Sequence, residues 1–264
     1  MSDFAFTAQA CTALLKRDLR AVARSRSQLY SSLLFPLMIL AILGTGVSKG
    51  LDPSLVRDGD YSSFLVPGII VMTLVFSSTF SSASFYYDRD WGMMKVLLST
   101  PHPSQVIMLG KSLAGAVIGS GQGLAVLLMA TLIPALHLEW QYGVLPGVLL
   151  AVLAIVMLSL LLNGSAQLIA RRIRTMQGFH LVMNLVLFPL LFFSGAFFPL
   201  DELPVWLKVL ATINPLSYPL DLLRIAVYSE DSGYFGLVVD LLVLGVLTPL
   251  VFWSGLQRRP AAFG

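Results

Sequence analysis

Apolar residues in this chain gather in long runs, where a soluble fold would show alternation or three-and-four spacing. Six runs are readable, near 29–47, 64–83, 113–133, 144–162, 178–193 and 235–253. Most approach the roughly 20 residues an α-helix needs to cross the hydrocarbon core of a bilayer. Pro and Gly occur inside several of them, which membrane helices tolerate when neighbouring groups satisfy the freed backbone. The pattern predicts an all-α integral membrane protein with six transmembrane helices across residues 29–257. The fifth run is short and leads into Ser194-Gly195, so re-entrant structure is expected after it.

The segments between the runs add detail. In residues 1–28, Leu15, Leu19 and Val22 share one helical face, with Lys16, Arg17, Arg20 and Arg24 elsewhere. That is the pattern of an amphipathic helix lying in the membrane interface. Residues 88–100 are too polar to span and too short to fold alone, yet Trp91, Met94, Val96, Leu97 and Leu98 are apolar. A short helix offering such side chains at a membrane surface docks into something, although an ordinary interfacial loop helix has the same composition. Pro101 and Pro103 end it. Past Pro204, Leu203, Leu207, Leu210 and Ala211 keep helical spacing, and Asn214-Pro215 breaks the outer segment into two short helices.

Lys and Arg set the orientation. The N-terminal stretch (Lys16, Arg17, Arg20, Arg24, Arg26), the second and fourth connections (Arg89, Lys95, Lys111; Arg171, Arg172, Arg174) and the tail 258–264 (Arg258, Arg259) carry thirteen of the seventeen. Lys49, Arg57, Lys208 and Arg224 make up the rest. Both termini are therefore expected on the cytoplasmic side.

Composition agrees. Only 12% of residues are charged and 56% are hydrophobic, with a mean hydropathy of +0.82. A net charge of +3 placed at helix ends implies contact with anionic lipid, and no nucleic acid is expected as a partner. The single cysteine, Cys11, permits no internal disulfide. The first 28 residues lack the compact apolar core and cleavage site of a signal peptide.

Catalytic chemistry is hard to find. Gly110-Lys111-Ser112 imitates the end of a phosphate-binding loop, but Gln105 stands where that loop needs glycine. His102, His137 and His180 lie in separate segments without metal-ligand spacing, and Asn163-Gly164-Ser165 sits at a cytoplasmic helix end where glycosylation does not occur. Gly115, Gly119 and Gly123 repeat every fourth residue, which suits close helix packing within one subunit. Ionisable groups are read as nearly absent from the span interiors, which argues against a proton relay. Ser77, Ser78, Thr79, Phe80, Ser81 and Ser82 would suit a path for an amphipathic cargo, or plain helix packing. Asp201 and Glu202 read as solvated loop residues, while Asp221 and Arg224, three apart, predict a structural pair on one helix face.

Taken in order, these segments resemble permeases of the ABC transporter type-2 family, notably its drug-exporter branch of daunorubicin-resistance-type permeases. The resemblance rests on Asp88-Arg89-Asp90, Gly92, Lys95, Leu97-Leu98, Pro101 and Leu109-Gly110-Lys111. It continues in Ser194-Gly195-Ala196-Phe197-Phe198-Pro199, Leu203-Pro204, Trp206-Leu207, Asn214-Pro215-Leu216, Tyr218, Asp221 and Leu223-Arg224. It covers roughly residues 12–257.

The resemblance implies a coupling helix that sits in a cleft of a separate ATP-binding subunit, carried here by Arg89, Asp90, Trp91, Gly92, Lys95, Leu97 and Leu98. Arg89 and Lys95 would meet acidic groups on that partner, with Trp91 as the buried anchor. It implies an outer re-entrant segment over 194–224, with Gly195, Phe197, Phe198, Pro199, Asn214 and Pro215 forming a gate. It also implies a second permease copy, identical or related, a bacterial inner-membrane location, and no cofactor in this chain, ATP and Mg belonging to the partner. The expected function is export of a drug, natural product or lipid-like molecule. Export of a polysaccharide or lipid-linked glycan is the alternative within the class. A membrane scaffold or membrane-embedded enzyme is the alternative outside it, the enzyme lacking any convergent catalytic groups.

Overall fold

The computed structural model describes residues 3–47, 61–99, 104–133, 136, 138, 140, 142–170, 172–228 and 233–256. The tail 258–264, Pro101, Pro103, Lys49 and Arg57 lie outside these residues, as does the Leu98 side chain. The described residues form ten helices and no strand: α1 Asp3–Arg24, α2 Arg26–Val47, α3 Tyr61–Asp90, α4 Met93–Leu98, α5 Ser104–Leu132, α6 Val144–Ala170, α7 Met176–Phe192, α8 Val205–Ile213, α9 Ser217–Val227 and α10 Leu237–Leu256. One 3-10 turn, Leu200–Glu202, precedes α8.

Among the described residues four helices are long and apolar enough to cross a bilayer: α3, α5, α6 and α10. The apolar stretches Tyr30–Gly46 of α2 and Met176–Phe192 of α7 are shorter. α7 stops where Ser194 and Gly195 turn the chain back. Of the six expected spans, four are helices of full membrane-crossing length, and the first and the fifth, the latter already short in the sequence, are shorter apolar stretches.

α3 is the innermost helix, packed on α2, α5 and α6, whereas α10 lies at the periphery against α6 and α9. Three of the hydroxyls inside α3 cost little to bury because they turn back to their own helix, whereas the buried oxygens of Ser77 and Ser81 find no partner among the described residues. Thr73 donates to the Ile69 carbonyl, and Ser78 and Thr79 both donate to that of Val75. Ser77, Ser78, Thr79 and Ser82 are buried within the chain, so most of the serine-rich stretch serves packing.

The glycine repeat of α5 serves packing as well. A Cβ at Gly115 would overlap Asn163 Oδ1 of α6, and one at Gly119 would lie 2.6 Å from Ser159 Oγ. Leu at Gly115 is expected to cost roughly 3 kcal/mol by overpacking. Gly121→Leu, where nothing lies within 4 Å, should be neutral. Thermal unfolding of the two variants in detergent checks the contrast.

The short helices differ sharply from each other. Apart from Tyr218, every residue of α9 is buried, and α9 packs on α6 and α10 as part of the core. α8 keeps Val205, Trp206, Val209 and Ile213 exposed.

Candidate functional site

Contacts between distant residues define two ends of the bundle. At the basic end meet the C-termini of α3 and α6, the N-termini of α5 and α7, and α1. At the opposite end meet the start of α3, the 194–200 reversal and the end of α9.

At the basic end, the first charged residues of the expected coupling segment belong to α3, not to the short helix. α3 runs through Asp90, the chain turns at Trp91-Gly92, and α4 follows. Gly92 has φ +75, and a Cβ there would meet nothing within 4 Å. Only the backbone conformation asks for glycine, and Ala would cost about 1 kcal/mol.

Asp88 is the hub of a charged cluster. Its Oδ2 accepts from Lys111 Nζ of α5 at 2.5 Å and from the Arg17 guanidinium of α1 at 2.5 Å. Arg17 also reaches Asp18 at 2.7 Å, and Lys111 lies 3.6 Å from Asp18 and 3.3 Å from Ser84 Oγ. The Lys111 side chain is only 2% exposed. Burial works against the charge of Arg17, but the Asp88 and Asp18 carboxylates outweigh it and raise its pKa. Two cations and two carboxylates balance, tying α1, α3 and α5 together at the root of α4.

Arg89, expected to face a partner, is engaged within the chain. Its guanidinium donates to the Arg174 carbonyl, lies 5.5 Å from the Tyr86 ring centroid, and sits 3.4 Å from the exposed Asp90 carboxylate. Tyr86 donates to the carbonyls of Ala170 and Ile173 at 3.3 and 3.2 Å. These bonds fasten the end of α3 to the α6–α7 connection, which presents carbonyls not used by either helix.

α4 projects outward. Trp91 is 80% exposed, supported on one side by the Tyr87 ring at 5.6 Å. Met93, Lys95 and Val96 are exposed, Leu97 is half-buried, and Met94 is the buried foot of the helix. Beside Trp91, a half-open cavity of about 440 Å³ lies between α1, α3 and α5, with Phe80, Ser81 and Ile118 in its walls.

At the opposite end, Gly195 has φ +86, and a Cβ there would lie 2.8 Å from Leu200. The reversal it permits packs so closely on α3 that a Cβ on Gly68 would overlap the Ala196 carbonyl. Phe197 is buried against Phe192 at 5.1 Å, and its carbonyl accepts from Tyr61 at 3.0 Å. Phe198 is exposed and Pro199 half-buried. Asn214 donates to the Leu190 carbonyl at 2.5 Å and accepts from the Leu216 amide at 3.0 Å, the side-chain turn that lets Pro215 separate α8 from α9.

The expected Asp221–Arg224 pair is not a direct one. Asp221 accepts from the amides of Tyr234 and Phe235, both at 2.8 Å. Arg224 donates to the Gly195 carbonyl at 2.5 Å and lies over the Phe64 ring at 4.3 Å. Backbone groups that need partners have won over the ion pair.

Sequence reasoning missed five residues. Arg17, Asp18, Asp88 and Lys111 form the cluster, and Asp240, fully buried in the first turns of α10, lies beside the Asp221 carboxylate. Ionisable groups inside the helices are thus fewer than usual but present. The available signal was a lone charge in or beside an apolar run, which demands a partner. Among the described residues no group of three or more His, Cys, Asp or Glu is placed to hold a metal ion.

A family of membrane transport proteins accounts for this arrangement. Residues 9–228 match the family described as "ABC-2 type transporter", and the chain belongs to it. It is a multi-pass ABC transporter permease. It is similar to Nodulation protein J of Rhizobium leguminosarum bv. viciae, 25% identical over 223 residues that cover 84% of this chain and 83% of that one. It is similar also to the inner membrane transport permease YadH of Escherichia coli K12, 28% identical over 201 residues covering 75% of each. A third relative, "Probable multidrug ABC transporter permease YbhR" of the same strain, is 27% identical over 177 residues, 66% of this chain and 46% of that one.

Proposed function

We propose that this permease is the membrane half of an ATP-driven exporter that moves hydrophobic or amphipathic molecules outward across a bacterial inner membrane. Its ends are oriented by charge, the basic end facing the cytoplasm with both termini. α2 and α7 complete six spans. At 17 residues, about 26 Å long, α7 ends inside the bilayer, and the 194–200 reversal carries the chain on to the outer face.

The observation that carries this reading is the exposed apolar knob of Trp91, Met93 and Val96 beside Lys95, standing on a buried ion cluster. An exposed tryptophan on a short, firmly rooted helix is the kind of anchor that dominates protein interfaces. A separate ATP-binding subunit would receive it, and its closure would push on α3 and, through Asp88, on α1 and α5. A second permease copy, identical or related, would complete the path, with the exposed Phe198 and α8 near the exit. The name of YbhR supports a drug-like cargo.

The test is ATP-dependent accumulation of fluorescent amphipathic dyes in inside-out vesicles holding the permease and its ATP-binding subunit. Accumulation above an ATP-free control is expected. ATP hydrolysis without movement of any dye, alongside movement of a lipid-linked glycan, would overturn the cargo assignment.

A further inference from the structure

α1 carries more positive charge than the buried cluster uses. Lys16, Arg20 and Arg24 are exposed and have no acidic partner among the described residues. With Arg17 they line an open basic groove along α1. Arg17 and Ala21 belong to this groove and also to the wall of the 440 Å³ cavity between α1, α3 and α5. The two spaces therefore adjoin at one turn of α1. The charged side chains of the first are all cationic. The other is mainly apolar, walled by Val22, Phe80, Tyr87 and Ile118.

The charges within the cavity cancel. Arg17 and Lys111 are matched by Asp18 and Asp88 at 2.5–3.6 Å, so the cluster adds no net charge to a ligand's surroundings. What attracts a headgroup is then the surplus on Lys16, Arg20 and Arg24, and what holds the rest of the molecule is the apolar wall. A ligand that satisfies both carries an anionic head and an apolar tail.

From this geometry we infer that the α1–α3–α5 junction is a binding site for one anionic phospholipid of the cytoplasmic leaflet. Its phosphate lies along Lys16, Arg20 and Arg24, and an acyl chain enters the cavity past Arg17. The inference rests on the proposed cytoplasmic placement of the basic end. It commits to a membrane lipid because α1 is the element expected to lie in the interface, where cationic residues gain from an anionic surface. A lipid held there touches α1, α3 and, at Trp91, the root of α4, so occupancy would stiffen the junction through which coupling passes.

The experiment is native mass spectrometry of the purified permease in mixed micelles containing phosphatidylglycerol or phosphatidylcholine. Wild type is expected to retain one phosphatidylglycerol per chain at least about tenfold more tightly than phosphatidylcholine, given the gain per basic residue near an anionic headgroup. Lys16→Gln with Arg20→Gln and Arg24→Gln, all on the exposed face, should bring that ratio close to one. Ile118→Trp, which fills the cavity, should weaken phosphatidylglycerol retention while leaving the triple cationic face intact. Wild type should also hold phosphatidylglycerol far more tightly than glycerol phosphate, a comparison that reads the tail without any substitution.

Equal retention of the two lipids, or of phosphatidylglycerol and glycerol phosphate, would overturn the inference. So would a triple variant that keeps its lipid but loses the ATP-binding subunit or a second copy, since the basic face would then be a protein interface. The readout needs no ATPase. Lys95→Glu, outside the cavity, should lose coupling and keep its lipid, which separates failure of the export reading from failure of this one.

Discussion

Lys111→Met is expected to destabilise the permease by about 3 kcal/mol. The ammonium lies inside α5 at 2% exposure, 2.5 Å from Asp88, and its removal leaves two half-buried or buried carboxylates with one guanidinium. Breaking a buried pair by removing one partner costs about 3–5 kcal/mol, because the remaining charge has lost both water and counter-ion. The lower end applies here, since Arg17 is 35% exposed and opens the cluster to solvent. Adding Asp88→Asn restores the charge balance, and the double variant should recover most of the loss. Thermal unfolding of both single variants and the double in detergent measures the coupling between the two sites. Additive losses would mean that the cluster does not act as a unit.

Trp91→Ala is expected to weaken association with the ATP-binding subunit by at least about 2 kcal/mol, roughly 30-fold, while leaving thermal unfolding unchanged. The indole is 80% exposed and its intramolecular ring partner is Tyr87, so little of the fold depends on it. Arg89 is a poor probe of the same surface. Its guanidinium supports the α6–α7 connection through the Arg174 carbonyl, and Arg89→Glu would disturb the permease itself before any partner felt it. Lys95 is exposed and makes the cleaner charge test.

The contrast between Arg89 and Trp91 shows where the sequence was readable. Hydrophobic run length located the long helices, and turn chemistry at Asn214-Pro215 located the division between α8 and α9. Both are local properties. The end of the apolar run and the family resemblance placed the start of the coupling segment at Asp88, whereas the helix continues to Asp90 until the positive φ of Gly92 turns the chain. Tertiary choices were not legible. Arg17 meets Asp88 across 71 residues, and no periodicity encodes that contact. Lys111 lies in a tripeptide that imitates a nucleotide loop, and its role as a charge needing a partner is set by Asp88 and Asp18 on other helices. Asp221 and Arg224 had the right spacing to pair, but the amides of Tyr234 and Phe235 and the carbonyl of Gly195 lie closer to hand. Asp240 was hidden near the start of the sixth apolar run, where only its burial against α9 gives it significance.

The most direct test of the central claim, that the 91–98 knob transmits the work of an ATPase, is ATP hydrolysis by the co-purified complex in lipid. Wild type is compared with Trp91→Ala and Lys95→Glu, with Phe198→Ala, exposed at the opposite end, as control. The account predicts that wild type and Phe198→Ala bind the ATP-binding subunit and alter its rate, while Trp91→Ala and Lys95→Glu remain folded and lose that effect. Normal association and normal modulation in both α4-region variants would contradict it.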